Sequence, residues 1–131
     1  METIELENRV FDALIFNAEL MELLPNGAES IYHYVAPSVL PNKYQLIVYS
    51  AISDVPSLSG DDGEIAHRVT IRLHVITAER NTIVERNKFA TVCGLVKQIM
   101  TSLNFRRLQT TPYVEDGKAM LIFDFVKGVE T

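Results

Sequence analysis

An α+β fold is predicted for this chain of 131 residues. It consists of an antiparallel β-sheet of about four to five strands with two α-helices packed on one face. Three observations carry that expectation. Two segments, Ile4 to Leu24 and Asn81 to Asn104, repeat apolar residues at helical spacing. Glu64 to Thr77 alternates apolar and polar residues along its whole length, as a half-buried strand does. The last two β-rich segments meet at Glu115-Asp116-Gly117-Lys118, and an Asp-Gly pair favours a tight hairpin.

In the first segment Leu6, Val10, Leu14 and Met21 form the stripe, and Phe11 and Ile15 widen it. Thr3 is expected to cap its start, the early glutamates suit the positive end of the helix dipole, and Pro25-Asn26-Gly27 stops it. Ser30 to Pro37 is aromatic and β-branched and reads as a short strand. Tyr44 to Ser53 is a stronger strand, and its near-continuous apolar character predicts burial on both faces. The stretch Asp54 to Gly63, with Pro56, Gly60 and paired aspartates, reads as a loop.

Glu64 to Thr77 then points Ile65, Val69, Ile71, Leu73 and Val75 one way and Arg68, Thr70, Arg72 and His74 the other. At about 3.3 Å per residue this strand runs about 45 Å, long enough for part of it to project as a hairpin. In the second helix Val92, Leu95, Val96, Ile99 and Leu103 share a face that Phe89 extends. Gly94 is expected to mark a close approach by another element, and Asn104 to end the helix. In the closing hairpin Ala119, Leu121, Phe123 and Phe125 point inward, while Met120 and Ile122 lie on the opposite face beside Lys118 and Asp124.

The chain is expected to form a single domain over residues 1–131, since 47% of its residues are hydrophobic, enough to close one core. No apolar run approaches the ~20 residues of a membrane span. The acidic, helix-like start is not that of a signal peptide. Cys93 has no partner for an internal disulfide, which makes a reducing cytosol the expected compartment, and it falls within an apolar helical stripe as a small core residue. The net charge of −5 excludes general binding to a phosphate backbone. That charge is concentrated: residues 1–30 carry Glu2, Glu5, Glu7, Asp12, Glu19, Glu22 and Glu29 against Arg9 alone.

Chemistry has few footholds. Asp61, Asp62, Glu64 and His67 are the one group with the donor types of a divalent-metal or acid–base site, and a metal-dependent hydrolase built on them is one reading. They lack the regular ligand spacing of a calcium loop, and the three histidines lack a zinc-helix spacing. No phosphate-cradling glycine motif and no nucleophile elbow occurs, so no cofactor is expected. A solvated turn explains the aspartates, and a histidine at the core edge explains His67. Arg68, Arg72, Arg106 and Arg107 are either a solvated sheet face or a polar interface that meets an acidic surface, such as the first helix of a neighbouring copy.

The order of these elements resembles the tail-completion (tail terminator, head–tail joining) proteins of long-tailed bacteriophages and prophages. The resemblance is carried by YSAISDVPSLSGDDGEIAHRVTIRLHVIT, by the helix leading into LVKQIMTSLNFRR and by the strand AMLIFDFV. It implies a structural protein without enzymatic activity. Such a protein assembles as a ring, commonly a hexamer, at the head-proximal end of the tail tube. Its partners are copies of itself, the tail tube protein and the head connector protein, with no specific nucleic acid and no membrane. It would be assembled in the host cytoplasm and end in the virion tail. Asp61, Asp62, Glu64, Arg68, Arg72, Arg106, Arg107, Met120 and Ile122 are then the expected interaction residues, with the acidic loop ordering against a neighbouring ring. The remaining alternative is a protein-binding adaptor with no virion role.

Overall fold

The computed structural model describes residues 1–35, 45–60, 63–77, 83–115 and 118–130. Helix α1 (Thr3–Phe16) is followed by α2 (Ala18–Leu23), a 3-10 turn (Gly27–Ser30), β1 (Ile31–His33), β2 (Gln45–Gly60), β3 (Gly63–Thr77), α3 (Ile83–Ser102), β4 (Arg106–Glu115) and β5 (Lys118–Glu130). The five strands form one sheet in the order β1-β2-β3-β5-β4. β1 runs parallel to β2, and every other neighbouring pair is antiparallel. The fold is α+β, as expected, but the sheet is mixed rather than purely antiparallel.

The expected first helix is two. Asn17 leaves the helical conformation, and its side-chain oxygen accepts from the Leu20 backbone N–H, so it caps α2. Thr3 does not cap α1: Glu2 holds that position without a side-chain bond, and the Thr3 hydroxyl reaches Asp54 instead. The end of α3 is as expected. Asn104 adopts a left-handed backbone at φ 67°, its N–H donates to Thr101 O, and the Phe105 N–H donates to Met100 O. That pair of bonds is a Schellman motif, and the buried Phe105 and Met100 supply its apolar contact.

One sheet face packs beneath the helices. Ile47 and Tyr49 of β2, Val69 to Val75 at alternate positions of β3, and Phe123 and Phe125 of β5 join Leu6, Val10 and Leu14 of α1 and Val92, Val96 and Ile99 of α3 in the main core. The opposite face holds a smaller cluster of Leu46, Val48 and Ile76, with Tyr32 and Met120 against it. The both-sided burial read for Tyr44 to Ser53 is thus present at Leu46, Ile47, Val48 and Tyr49. Cys93 is buried in the core, and burial pushes its thiol up to about 12, which keeps it protonated and unreactive.

In the expected loop from Asp54 to Gly63, the described residues, 54–60 and 63, are strand instead. β2 continues through Pro56 to Gly60, pairing with β3 as far as Gly63. Proline is tolerated there because the register shifts at that point, between Ala51 and Ser53 and again after Pro56, and β1 has already ended. Gly63, at φ 112°, supplies the backbone that the return of the chain requires. The hairpin projects modestly: β5 pairs with β3 from Thr77 only to Ala66.

Gly94 does not mark a close approach, because a Cβ built there meets nothing within 4 Å. Gly94→Ala is therefore expected to raise stability by about 0.5–1 kcal/mol, through helix propensity and a less flexible unfolded chain. Urea unfolding of the two proteins checks it, and a destabilised variant would contradict the open surroundings.

Candidate functional site

Three polar clusters are held by side chains distant in sequence. The first lies under α1. Glu7 is 2% exposed and accepts hydrogen bonds from His33 Nε2 at 2.8 Å, Tyr34 Oη at 3.3 Å and the Ala51 backbone N–H at 2.9 Å. His33 stacks on Tyr34 and Tyr49, with ring centroids 3.8 and 4.8 Å apart. Tyr34 takes a left-handed backbone at φ 70°, and its N–H still donates to Tyr49 O. The Glu7 charge raises the Tyr34 phenol, and burial raises that of Tyr49. This cluster clasps α1 to the β1–β2 edge.

The second cluster closes the start of α1 onto the β2–β3 hairpin. His67, buried on the helix side of β3, donates from Nδ1 to Asp54 Oδ1 at 2.6 Å and from Nε2 to Met1 O at 3.0 Å. Both ring nitrogens are thus engaged by oxygen atoms of the protein. Asp54 also accepts from Thr3, and that bond leads in lowering its pKa, with His67 adding to it against the effect of burial. His67 sits at the core edge as its parity predicts, and both of its nitrogens are committed to partners within the protein.

The third cluster is on the sheet face away from the helices. Asp124 is 3% exposed and accepts from Arg72 Nε at 2.8 Å, Arg72 Nη2 at 3.1 Å and Gln109 Nε2 at 2.9 Å. The bidentate Arg72 bond is the main reason the Asp124 pKa is lowered and that of Arg72 raised, with burial opposing both. His74 on the same face is lowered by burial first and by Arg72 second, which keeps it neutral.

The depressed carboxylates set the acid limb of stability. Their folded pKa values lie below the unfolded ones, so their contribution is complete above the ordinary carboxylate pKa of about 3.9 and is lost as pH falls through the folded values. The melting temperature is expected to decline gently as pH falls through about 6.5, where His74 takes up a proton in the unfolded chain but resists it in the folded one, and to fall more steeply below about pH 4. Asp124→Asn should flatten that fall, and an unchanged slope would show that Asp124 contributes nothing to it.

Register places the expected interaction residues on different surfaces. Arg68, Arg72 and Arg106 share the face away from the helices with the partly buried Met120 and Ile122. Arg107 pairs with Phe125 and so lies on the helix side of β4, where it donates to Thr110 Oγ1 at 2.9 Å. Arg68, Arg106 and Arg107 are exposed, whereas the charge of Arg72 is balanced by Asp124. Ile76 is 7% exposed on the face away from the helices, within the smaller cluster. Glu64 is placed by its backbone in β3 opposite Ser59, and Asp61 and Asp62 lie outside the described residues.

Glu7, Asp54, Asp124 and Gln109 did not emerge as structural partners from the sequence. Two of them carried a visible signal: Glu7 sits beside Leu6 on the flank of an apolar stripe, and Asp124 stands between Phe123 and Phe125. Among the described residues no group of three or more His, Cys, Asp or Glu side chains is placed to hold a metal ion, and no helix is long and apolar enough to cross a membrane.

The fold is shared. The chain is similar to a chain in the virion of a native gene transfer agent particle, with a TM-score of 0.67 over 96% of this chain and 95% of that one, at 18% sequence identity. No protein-family model matches the sequence, and no curated protein does.

Proposed function

We propose that this chain is a structural virion protein of a phage-type particle that forms a ring on the head-proximal end of the tail tube and joins tail to head. The observation that carries the reading is the end-to-end likeness in fold to a chain of a gene transfer agent virion. The finer role, with a six-membered ring, a tail tube partner and a head connector partner, rests on the order of elements that resembles tail-completion proteins. In this reading the protein assembles in the host cytoplasm, resides in the virion tail and acts through contacts alone.

Physical features agree with that role. The net charge of −5 suits a particle through which DNA must slide without being held. A reading as a metal-dependent hydrolase is disfavoured by His67, whose two nitrogens are committed to Asp54 and Met1. The acidic turn remains a candidate contact with a neighbouring ring. Replacing Asp61, Asp62 and Glu64 with alanine is expected to leave the fold intact and to impair joining, and full infectivity of that variant would remove the turn from the mechanism.

Imaging the purified protein mixed with isolated tail tubes tests the reading. Rings seated on one end of the tubes are expected. Decoration along the sides, or no binding, contradicts it.

A further inference from the structure

The two ends of the sheet differ in charge and share exposed apolar side chains. At the β1–β2 end, Tyr34, Val35, Ile52 and Val55 are 59%, 73%, 45% and 53% exposed, and Ile4 of α1 is 62% exposed. This end carries the acidic N-terminal unit: Phe11 of α1, next in sequence to the exposed Asp12, stacks on Tyr49 of β2 at 6.0 Å, and the exposed Glu29 lies two residues before β1. At the other end β4 has one strand neighbour, β5, and presents Leu108, Tyr113 and Val114 at 51%, 46% and 65% exposure beside the exposed Arg106 and Arg107. Of the eleven large hydrophobic residues exposed among the described ones, these eight lie at the two sheet ends or beside them. Monomeric surfaces rarely concentrate apolar groups this way.

From this we infer that the β4 edge of one copy packs against the β1–β2 edge of the next, with Arg106 and Arg107 facing the acidic α1–β1 surface around Asp12 and Glu29. The occupant of each edge is a second copy of this chain. The two surfaces are different and stand at opposite ends of one sheet, so the contact is heterologous and leads to a ring when the rotation closes. Side chains drive it: Pro56 on β2, Pro112 on β4 and the register shifts in both strands limit any continuous backbone ladder between copies. The inference rests on the proposed ring and specifies which surfaces make it.

Charge reversal tests the pairing. One variant carries Arg106→Glu and Arg107→Glu, the other Asp12→Lys and Glu29→Lys. All four residues are exposed, and far-UV circular dichroism with thermal melting verifies that both variants fold. In sedimentation, each variant alone should self-associate about 100-fold more weakly than the unmodified chain, because like charges then meet at every contact. An equimolar mixture of the two should recover the assembly, since each reversed edge finds its complement. A ring indifferent to both reversals overturns the interface while the tail-end reading stands. Variants that fail alone and fail when mixed overturn it too, as does an unmodified chain that remains monomeric both alone and on tail tubes. Charge-dependent rings together with normal tails in a strain lacking the chain would retain the interface and remove the tail-end role.

Discussion

Replacing Phe123 with alanine is expected to destabilise the protein by about 3–5 kcal/mol. Phe123 is 1% exposed, sits mid-way along β5 opposite Leu73 of β3 and Thr110 of β4, and stacks on Phe125 at 6.1 Å. Lys97 of α3 lies over its ring at 6.0 Å. Truncation opens a cavity between the sheet and α3, whose walls belong to three strands and collapse poorly. Small domains have about 5–15 kcal/mol in total, so the variant loses a large share of its stability. Phe123→Leu, which keeps most of the volume, should lose far less. Denaturant unfolding of both variants checks the order, and an alanine variant within about 1 kcal/mol of the original would show a core that refills. Any assembly defect of this variant reports folding, whereas the charge reversals at the sheet ends leave the core untouched.

Glu7→Ala comes second, with an expected loss of about 3 kcal/mol and a fall of about 10 °C in melting temperature. Three donors end on this buried carboxylate, and one of them, Ala51 N–H, is a backbone group that the strand ladder leaves to Glu7. Removing the acceptor strands that donor in a half-buried position and frees His33 and Tyr34 from α1. Glu7→Gln retains one acceptor oxygen and should cost less, while Glu7→Leu fills the space and still orphans Ala51. A loss below about 1 kcal/mol for alanine, read by urea unfolding, would mean that the clasp contributes little. In the proposed ring the effect would extend to assembly, because Glu7 ties α1 to the β1–β2 edge.

Much of the fold was legible because its signals are local. The alternation of β3, the apolar run at the start of β2 and the inward positions of β5 each reflect side chains meeting one core face. Asn104 announced the end of α3 through its own tolerance of a left-handed backbone. The break at Asn17 was missed because a capping residue mid-stripe looks like a tolerated polar residue until its oxygen is seen on Leu20. The strand through Pro56 was missed for a different reason: the partner decides. β3 is a strong template, and β2 there is an edge where proline costs little.

The polar clusters were not legible because their partners are remote in sequence. Glu7 and Ala51 are separated by 44 residues, and Arg72 and Asp124 by 52. Parity alone placed Arg72 and Asp124 on one face, but the register that sets them side by side is fixed by the whole β3–β5 ladder. The same register moved Arg107 to the helix side, away from Arg106, and left the pair at the β4 edge.

The most direct test of a structural role at the tail end is electron microscopy of particles made by a strain from which this chain has been deleted. Filled heads that fail to join, with free tails of uncontrolled length, are the expected result, and supplying the chain in trans should restore joined particles of uniform length. Normal, infectious particles in its absence would contradict the account.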